Sequence, residues 1–297
     1  KGKKISEIIS DILEKDLKVS KDKINNIQQT SGSYDIVIPW KKPIEAIQWL
    51  TGMAHSDTDG GCFMFFENFK GYTFTSLSSL YNEEVKFKYQ YDIKQIDPSI
   101  ANNIRTPDLY QITNDYDLLM NMENGGYASK LLAVDLFSQA HTNYEFDLAK
   151  AEQDLLNDFK PIEDFQLKTG ESSLKAYNTK FNTYIQVKGS STEKENYVDK
   201  WFQQRALHIT MLHNNRIRVL APGELGMNVG DIVEFSFPAA GPEQTTSGFD
   251  EYRTGKYIVT AINHRFFEGN FETLFELSSD SLNSPLPPAQ DLTGVIK

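Results

Sequence analysis

GKYIVTAINHRFFEGNFETLFELSSDSL, residues 255–282, consists of two β-rich runs on either side of Gly269-Asn270, a Gly-X pair of the kind that closes two-residue hairpins. With that loop Glu268 stands opposite Phe271, and Ile262 faces Leu277, His264 faces Phe275 and Phe266 faces Thr273. One face then reads Ile258, Thr260, Ile262, His264 and Phe266 against Thr273, Phe275 and Leu277. The other carries Asn263 and Arg265 against Glu272, Leu274 and Glu276. A three-residue loop slips the register by one and sets Ile262 against Glu276, which would move a whole apolar set to the wrong side. The stretch is therefore expected to be a long antiparallel hairpin with one buried face.

Working back from the hairpin, residues 216–220 (RIRVL) and 232–238 (IVEFSFP) are expected strands, with a turn at 222–226 and a Gly/Pro/Thr loop at 239–253. Four short strands with such turns suit a small antiparallel barrel or sandwich. The helix expected over 193–213 places Val198, Trp201, Phe202, Arg205, His208 and Leu212 on one side. Upstream, Ile5, Ile8, Ile9, Ile12 and Leu13 have helical spacing within 1–16, and 25–33 reads as a polar loop. Residues 34–39 (YDIVIP) read as a strand. Pro43 then opens a helix with Ile44, Ile47 and Leu50 inward. CFMFFE (62–67) and YTFTS (72–76) form a second hairpin.

The alternation in 86–96 predicts a strand, and 115–122 a short helix. Residues 127–148 read as two extended strands, although YASKLLAVDLFSQA could also wind as a helix. Residues 149–178 read as loop. The reading is an α+β fold, mainly antiparallel β: an α+β region over 1–85, extended strands and loops over 86–192, a helix plus small antiparallel β-barrel over 193–283, and a Pro-rich tail over 284–297.

Composition narrows the function. The 297 residues carry a net charge of −11, which argues against sequence-independent nucleic-acid binding through the surface as a whole. A local basic patch at Arg216 and Arg218 is compatible with it. The sequence has no run of 18 apolar residues and no recognisable signal peptide, and the single Cys62 excludes an intramolecular disulfide framework.

Candidate chemistry is thin. Thr254-Gly255-Lys256 suggests a phosphate loop, but Asp250 stands where the first Gly belongs, Tyr257 follows the Lys, and a strand follows instead of a helix. His55, His141, His208, His213 and His264 form no metal-ligand spacing. His208 and His213 diverge by about 140° on a helix, and His264 reads as a hydrogen-bonded structural histidine. Cys62 lies in an apolar strand, the setting of an inert thiol. Arg265 between Glu272 and Glu276 reads as a cross-strand charge cluster worth at most about 1 kcal/mol. No catalytic, cofactor-binding or metal residue stands out, and no cofactor is expected.

Four segments together resemble the baseplate central hub proteins of contractile-tailed bacteriophages. They are VIPWKKPIEAIQWLTGMA…GGCFMFFENFKGYTFTSLSSLY (37–81), GGYASKLLAVDLFS (125–138), RIRVLAPGELGMNVGDIVEFSFP (216–238) and the hairpin itself, in the family's order. The resemblance implies a structural, non-enzymatic homotrimer in the virion tail, made in the host cytoplasm and not inserted in a membrane. It would join tail tube to central spike among other baseplate proteins, with DNA passing only in transit through an axial channel. In that family each subunit brings two similar barrels, so three copies form a pseudo-six-fold ring. Residues 216–282 would be the second barrel, and the first, which in the family normally precedes a segment like 1–13, is missing here: either the full product is longer or this member departs from the pattern. An acidic channel would repel DNA phosphate, unless Arg216 and Arg218 line it.

Two other functions compete with that reading. A tail-associated cell-wall hydrolase needs a cleft with two carboxylates about 5–10 Å apart, and no such pair is singled out. A carbohydrate-binding tail module needs exposed aromatic rings, whereas Trp49 and Trp201 fall in helices and Trp40 lies between a strand and two lysines.

Overall fold

The computed structural model describes residues 1–91, 104–115, 128–135, 141–147, 154–159, 179–186, 196–213, 215–239 and 248–285. The fold is α+β and mostly β, with three sheets among the described residues.

The first sheet belongs to the N-terminal region. Helix α1 (Ile5–Asp11) runs on into one π-helical turn over Ile12–Asp16. Strand β1 (Ile24–Ile27) pairs parallel to β3 (Gly71–Ser76), which pairs antiparallel with β2 (Phe63–Asn68). Helix α2 (Pro43–Thr51) opens on its proline as expected. Ile5, Ile9, Leu13, Ile47 and Leu50 bury against Phe63 and Phe74 on one face of this sheet. Met64 and Phe66 face the opposite way, toward Leu80, Ile232 and Ile258. A strand covered on both faces needs apolar residues at successive positions, which is why FMFF does not alternate.

Three expectations fail here. Ile44, placed on the inner stripe of α2, is exposed. Residues 34–39 are not a strand. Apart from a single bridge from Lys3 to Tyr34, the segment stays out of the sheets, with Ile36 and Ile38 packed against the helices and Val37 outward. Pro39 supplies no N–H for a ladder. The polar stretch 25–33, read as loop, begins with three of the four residues of β1, whose Asn25 donates to Thr73 Oγ1 at 3.0 Å. Helix α3 (Leu77–Tyr81), capped by Ser76 accepting from Ser79 N, follows β3 directly.

The second sheet has seven strands: β4 (Val85–Gln90), β5 (Ile104–Arg105), β6 (Leu109–Asn114), β10 (Asn215–Pro222), β11 (Ile232–Ser236), β12 (Gly255–Phe267) and β13 (Asn270–Ser279). Their order is β5-β4-β11-β12-β13-β10-β6. The sheet curls into a half-barrel. Tyr91, just after β4, and Tyr110 of β6 meet edge to face at 4.7 Å although four strands separate β4 from β6 in the order. Inside lie Tyr89, Ile217, Val219, Val233, Phe235, Tyr257, Phe275 and Leu277. The barrel strands were expected to be all antiparallel and to come from the C-terminal part alone. Instead β4 runs parallel to both β11 and β5, and the chain on both sides of residues 128–186 builds the sheet. Strand β4 stops at Gln90. The rest of the strand expected over 86–96 lies outside the described residues after Tyr91, as does the helix expected over 115–122 after Asp115.

The hairpin is present and its faces are as expected from Ile262 to the tip, but its turn and its base differ. Glu268-Gly269 is the two-residue loop, and Phe267 pairs with Asn270, Phe266 with Phe271, His264 with Thr273 and Ile262 with Phe275. Both loop residues have positive φ, 48° and 84°. A type I′ turn requires this at both positions, and it places glycine second, as in Asn-Gly. The shift is by two residues, so from Ile262 to Phe266 each side chain keeps its face. A bulge between Val259 and Ala261 reverses the faces below it: Val259 stands with Leu277 in the barrel core, while Ile258 and Thr260, expected on that face, turn to Ile232 and to Glu276 on the other. At the base of β12, Tyr257, Ile258 and Val259 are all buried, so burial there is two-sided.

In the third sheet, β7 (Ala128–Asp135) pairs antiparallel with β8 (His141–Asp147) and parallel with β9 (Thr179–Gln186). Within the described residues of 127–148, namely 128–135 and 141–147, the two-strand reading holds and the helical alternative does not. Helix α4 (Val198–Leu212) packs Val198 and Trp201 on Leu131 and Ala133.

Between β8 and β9, residues 154–159 reach across to the base of the half-barrel, where Phe159 bridges Leu282. Asn157 Nδ2 donates to Lys256 O at 3.1 Å, Ser279 Oγ at 3.0 Å and Ser281 O at 3.4 Å, while its Oδ1 accepts from Lys256 N at 2.8 Å. This strap lies within the stretch 149–178 expected to be loop. Asn157→Ala strands several buried partners and is expected to cost about 2–3 kcal/mol, measurable as a lower urea midpoint with unchanged slope.

Candidate assembly surface

The residue types that carry chemistry are dispersed by the fold. His55 Nδ1 meets Tyr34 Oη at 3.0 Å, buried beneath Tyr197. His264 Nδ1 meets Thr273 Oγ1 at 3.1 Å, as expected of a structural histidine. His213 contacts Arg216, His141 is exposed on β8, and His208 is buried in α4. Among the described residues no three His, Cys, Asp or Glu side chains come together as a metal site. Gly255 enters β12 beneath Asn157, where an added Cβ would lie 2.8 Å from Oδ1. That close approach, and not a phosphate, accounts for the glycine. Cys62 is buried, and desolvation pushes its thiol up to about 11, far from a nucleophile.

Buried polar groups gather where α3, α4, the strap and the end of β13 meet. Ser78 donates to Asp154, and Asp280 Oδ1 accepts from Leu156 N at 3.2 Å and Ser281 Oγ at 2.7 Å. Burial raises the Asp280 carboxyl above its usual range. His208 lies in the same region, near Asp154. Desolvation lowers its pKa to about 4, against a smaller upward pull from Asp154. The unfolded chain therefore takes up a proton near pH 6.5 that the folded chain refuses until about pH 4. Stability from this group is full above 6.5 and falls as pH drops through that window, by about 3 kcal/mol in total. His208→Gln should remove that share of the acid-side loss, seen by comparing urea unfolding at pH 7.5 and pH 4.5 for both proteins.

The outer wall of the half-barrel is mixed. Leu109, Leu220 and Leu274 lie abreast on β6, β10 and β13. Beside them Glu276 pairs with Arg216 at 3.4 Å and Arg218 at 3.5 Å. The charge cluster read from the sequence is thus redrawn. Arg265 stands opposite Glu272 across the ladder, but Glu276 turns to β10. The two arginines are partly neutralised and not a free basic patch.

Two exposed apolar features stand out among others such as Leu109 and Leu225. The first is the hairpin tip, where Phe266 (71% exposed) stacks on Phe271 at 4.3 Å and His264 bridges to Phe69 (77% exposed) of the β2–β3 turn. The second is Val37 and Trp40, both standing in solvent. Trp49 is partly buried and Trp201 buried. Sequence reasoning discounted Trp40 because it expected a strand before it, yet the surrounding Pro39, Lys41 and Lys42 were the available signal. No helix among the described residues is long and apolar enough to cross a membrane.

No protein-family model matches this chain, and no curated protein matches it. Solved structures do. A tail protein from Neisseria meningitidis MC58 superposes with a TM-score of 0.52 at 8% identity, covering 94% of this chain and 67% of that one. The 43 kDa tail protein of prophage MuSo2 from Shewanella oneidensis gives 0.47 at 9% identity, with 96% and 66% covered. This chain thus spans about two thirds of each, and along nearly its whole length it has the fold of a tail protein.

Proposed function

We propose that this chain is a structural subunit of a contractile phage tail, a baseplate hub that assembles as a homotrimer, joins tail tube to central spike and lines part of the axial channel. The observation that carries this reading is the half-barrel flanked by an α+β layer, a fold shared over 94% of the chain with a tail protein. The role is assembly, not bond-breaking: the chemistry-bearing side chains described above are buried, paired or scattered. Three curled sheets around one axis supply a wall whose inner residues alternate with core residues. The tube, the spike and other baseplate proteins are the partners, and DNA only passes through.

The test is the native mass of the purified chain by sedimentation, with particle images of the assembled tail. Three times 33.8 kDa, with more than roughly 2,000 Å² buried per pair, is expected. A monomer that degrades peptidoglycan would favour a hydrolase instead.

A further inference from the structure

The strap over 154–159 is tied to the base of the half-barrel through a buried carboxyl group. Asp280 is 2% exposed. Its Oδ1 accepts from Leu156 N of the strap at 3.2 Å and from Ser281 Oγ at 2.7 Å. Beside it Asn157 N donates to Ser281 Oγ at 2.7 Å, and Phe159 and Leu282 exchange two backbone bonds at 3.0 and 2.9 Å. The other carboxyl oxygen, Oδ2, faces the phenol of Tyr81 at the end of α3. Neither Oδ2 nor Tyr81 Oη has any other hydrogen-bond partner among the described residues, and neither reaches solvent. Around them lie Leu77, Leu80, Leu156, Leu212, Ile232 and Ile258.

Every group bonded to Asp280 is neutral, and so are the buried titratable groups packed here near pH 7. Desolvation pushes the Tyr81 phenol well up and the Cys62 thiol up to about 11, and it holds His208 of α4 neutral down to about pH 4. The charged side chains of these elements point elsewhere. Asp154 of the strap accepts from Ser78, and Arg205 of α4 donates to Phe63 O at 2.7 Å. A carboxylate at Asp280 would be a charge in apolar surroundings without a counter-ion, which is disfavoured against the neutral acid. The neutral acid also has a place for its proton. Its Oδ2–H can donate to Tyr81 Oη while Oδ1 remains the acceptor for Leu156 N and Ser281 Oγ.

We propose that Asp280 is a proton-controlled latch: protonated, it bonds Tyr81 and seats the strap, and ionised, it draws the strap off the half-barrel base so that water reaches the carboxylate. The proton goes to solvent, and only the O–H bond breaks. Release uncovers the backbone groups of Lys256 and Leu282 that Asn157 and Phe159 now occupy. The sign follows from burial. A carboxyl raised in the folded chain contributes fully below its ordinary value, and that contribution is lost as pH rises through the folded one. His208 acts in the opposite sense, losing its contribution as pH falls. The latch is independent of the homotrimer reading.

The test follows amide hydrogen exchange of the strap in the full chain by mass spectrometry, between about pH 5 and about pH 9, with intrinsic rates divided out and the central barrel strands as internal reference. His208→Gln serves as background so that Asp280 titrates alone. Relative to the reference, the strap amides are expected to exchange at least about tenfold faster at the alkaline end, the factor set by one pKa unit of preference for the neutral acid. Asp280→Asn keeps the shape and gives Tyr81 an N–H donor in place of the O–H, so its strap is expected to stay protected at every pH. Tyr81→Phe removes the acceptor and is expected to lower strap protection at the acid end about threefold or more. The competing state is an ionised Asp280 accepting from Tyr81. An Asp280→Asn strap that is loose at every pH would show that state and overturn the latch. A flat profile with Asp280 in place overturns it without any Asp280 variant, and full strap protection in Tyr81→Phe overturns the Tyr81 bond on which the closed form depends.

Discussion

Phe235→Ala is expected to lower stability by about 3–5 kcal/mol, the largest effect of any substitution considered for this chain. Phe235 is fully buried on β11, with its ring 4.6 Å from Phe237 and 5.9 Å from Tyr110 of β6. Strand β6 is at one end of the sheet order and β11 is near the other. Phe235 therefore packs across the interior as well as along its own strand. Truncation leaves a hole where the curl closes, and the stiff ladders around it collapse only partly. Urea unfolding followed by fluorescence would show the shift. An effect below about 1 kcal/mol would mean that the two ends of the sheet are held together by something other than this aromatic stack.

Gly71→Ala is expected to cost about 3 kcal/mol or more, through two separate terms. The residue has φ of +119°, where a side chain is strained, and an added Cβ would fall well inside contact with the Lys23 carbonyl oxygen. That atom is backbone, on the residue just before β1, so it cannot swing aside. Gly269 is the natural control. Its φ is +84°, but nothing lies within 4 Å of its Cβ position, so Gly269→Ala carries strain alone, about 1–2 kcal/mol. The difference between the two in paired denaturation curves isolates the packing of β1 against the hairpin turn.

Much of this architecture was legible in the chain, and what was not has physical reasons. Helical spacing located α1, α2 and α4 because each buries one stripe against a sheet. The hairpin faces were readable beyond Ala261 because side-chain parity survives a two-residue shift, and unreadable at the base because the bulge there reverses them. The turn was not, because Gly-Asn and Glu-Gly both look competent locally and only the backbone sign at Glu268 decides between them. Strand β1 was missed because INNI holds its place through Asn25 and its ladder, and not through apolar alternation. The curl was hidden because β4 joins β11 in parallel from far away in sequence, and local pattern carries no sign of such a partner. The candidate surface was half visible. Trp40 and the lysines could be read, but the apolar cluster of Phe69, His264 and Phe271 exists only once two distant hairpins lie side by side.

The interleaved order of the half-barrel has a consequence during synthesis. Strand β6 ends at Asn114, yet its ladder partner β10 starts at Asn215 and the sheet is complete only at Ser279. At about 5–20 residues per second on a ribosome, the early strands wait roughly 10–30 s with bare edges. Nascent chains emerging side by side on one message would expose the same unpaired strands to each other in that interval. Yield of the intact protein should therefore depend on translation speed and on cellular holding factors more than the equilibrium stability of the finished fold would suggest.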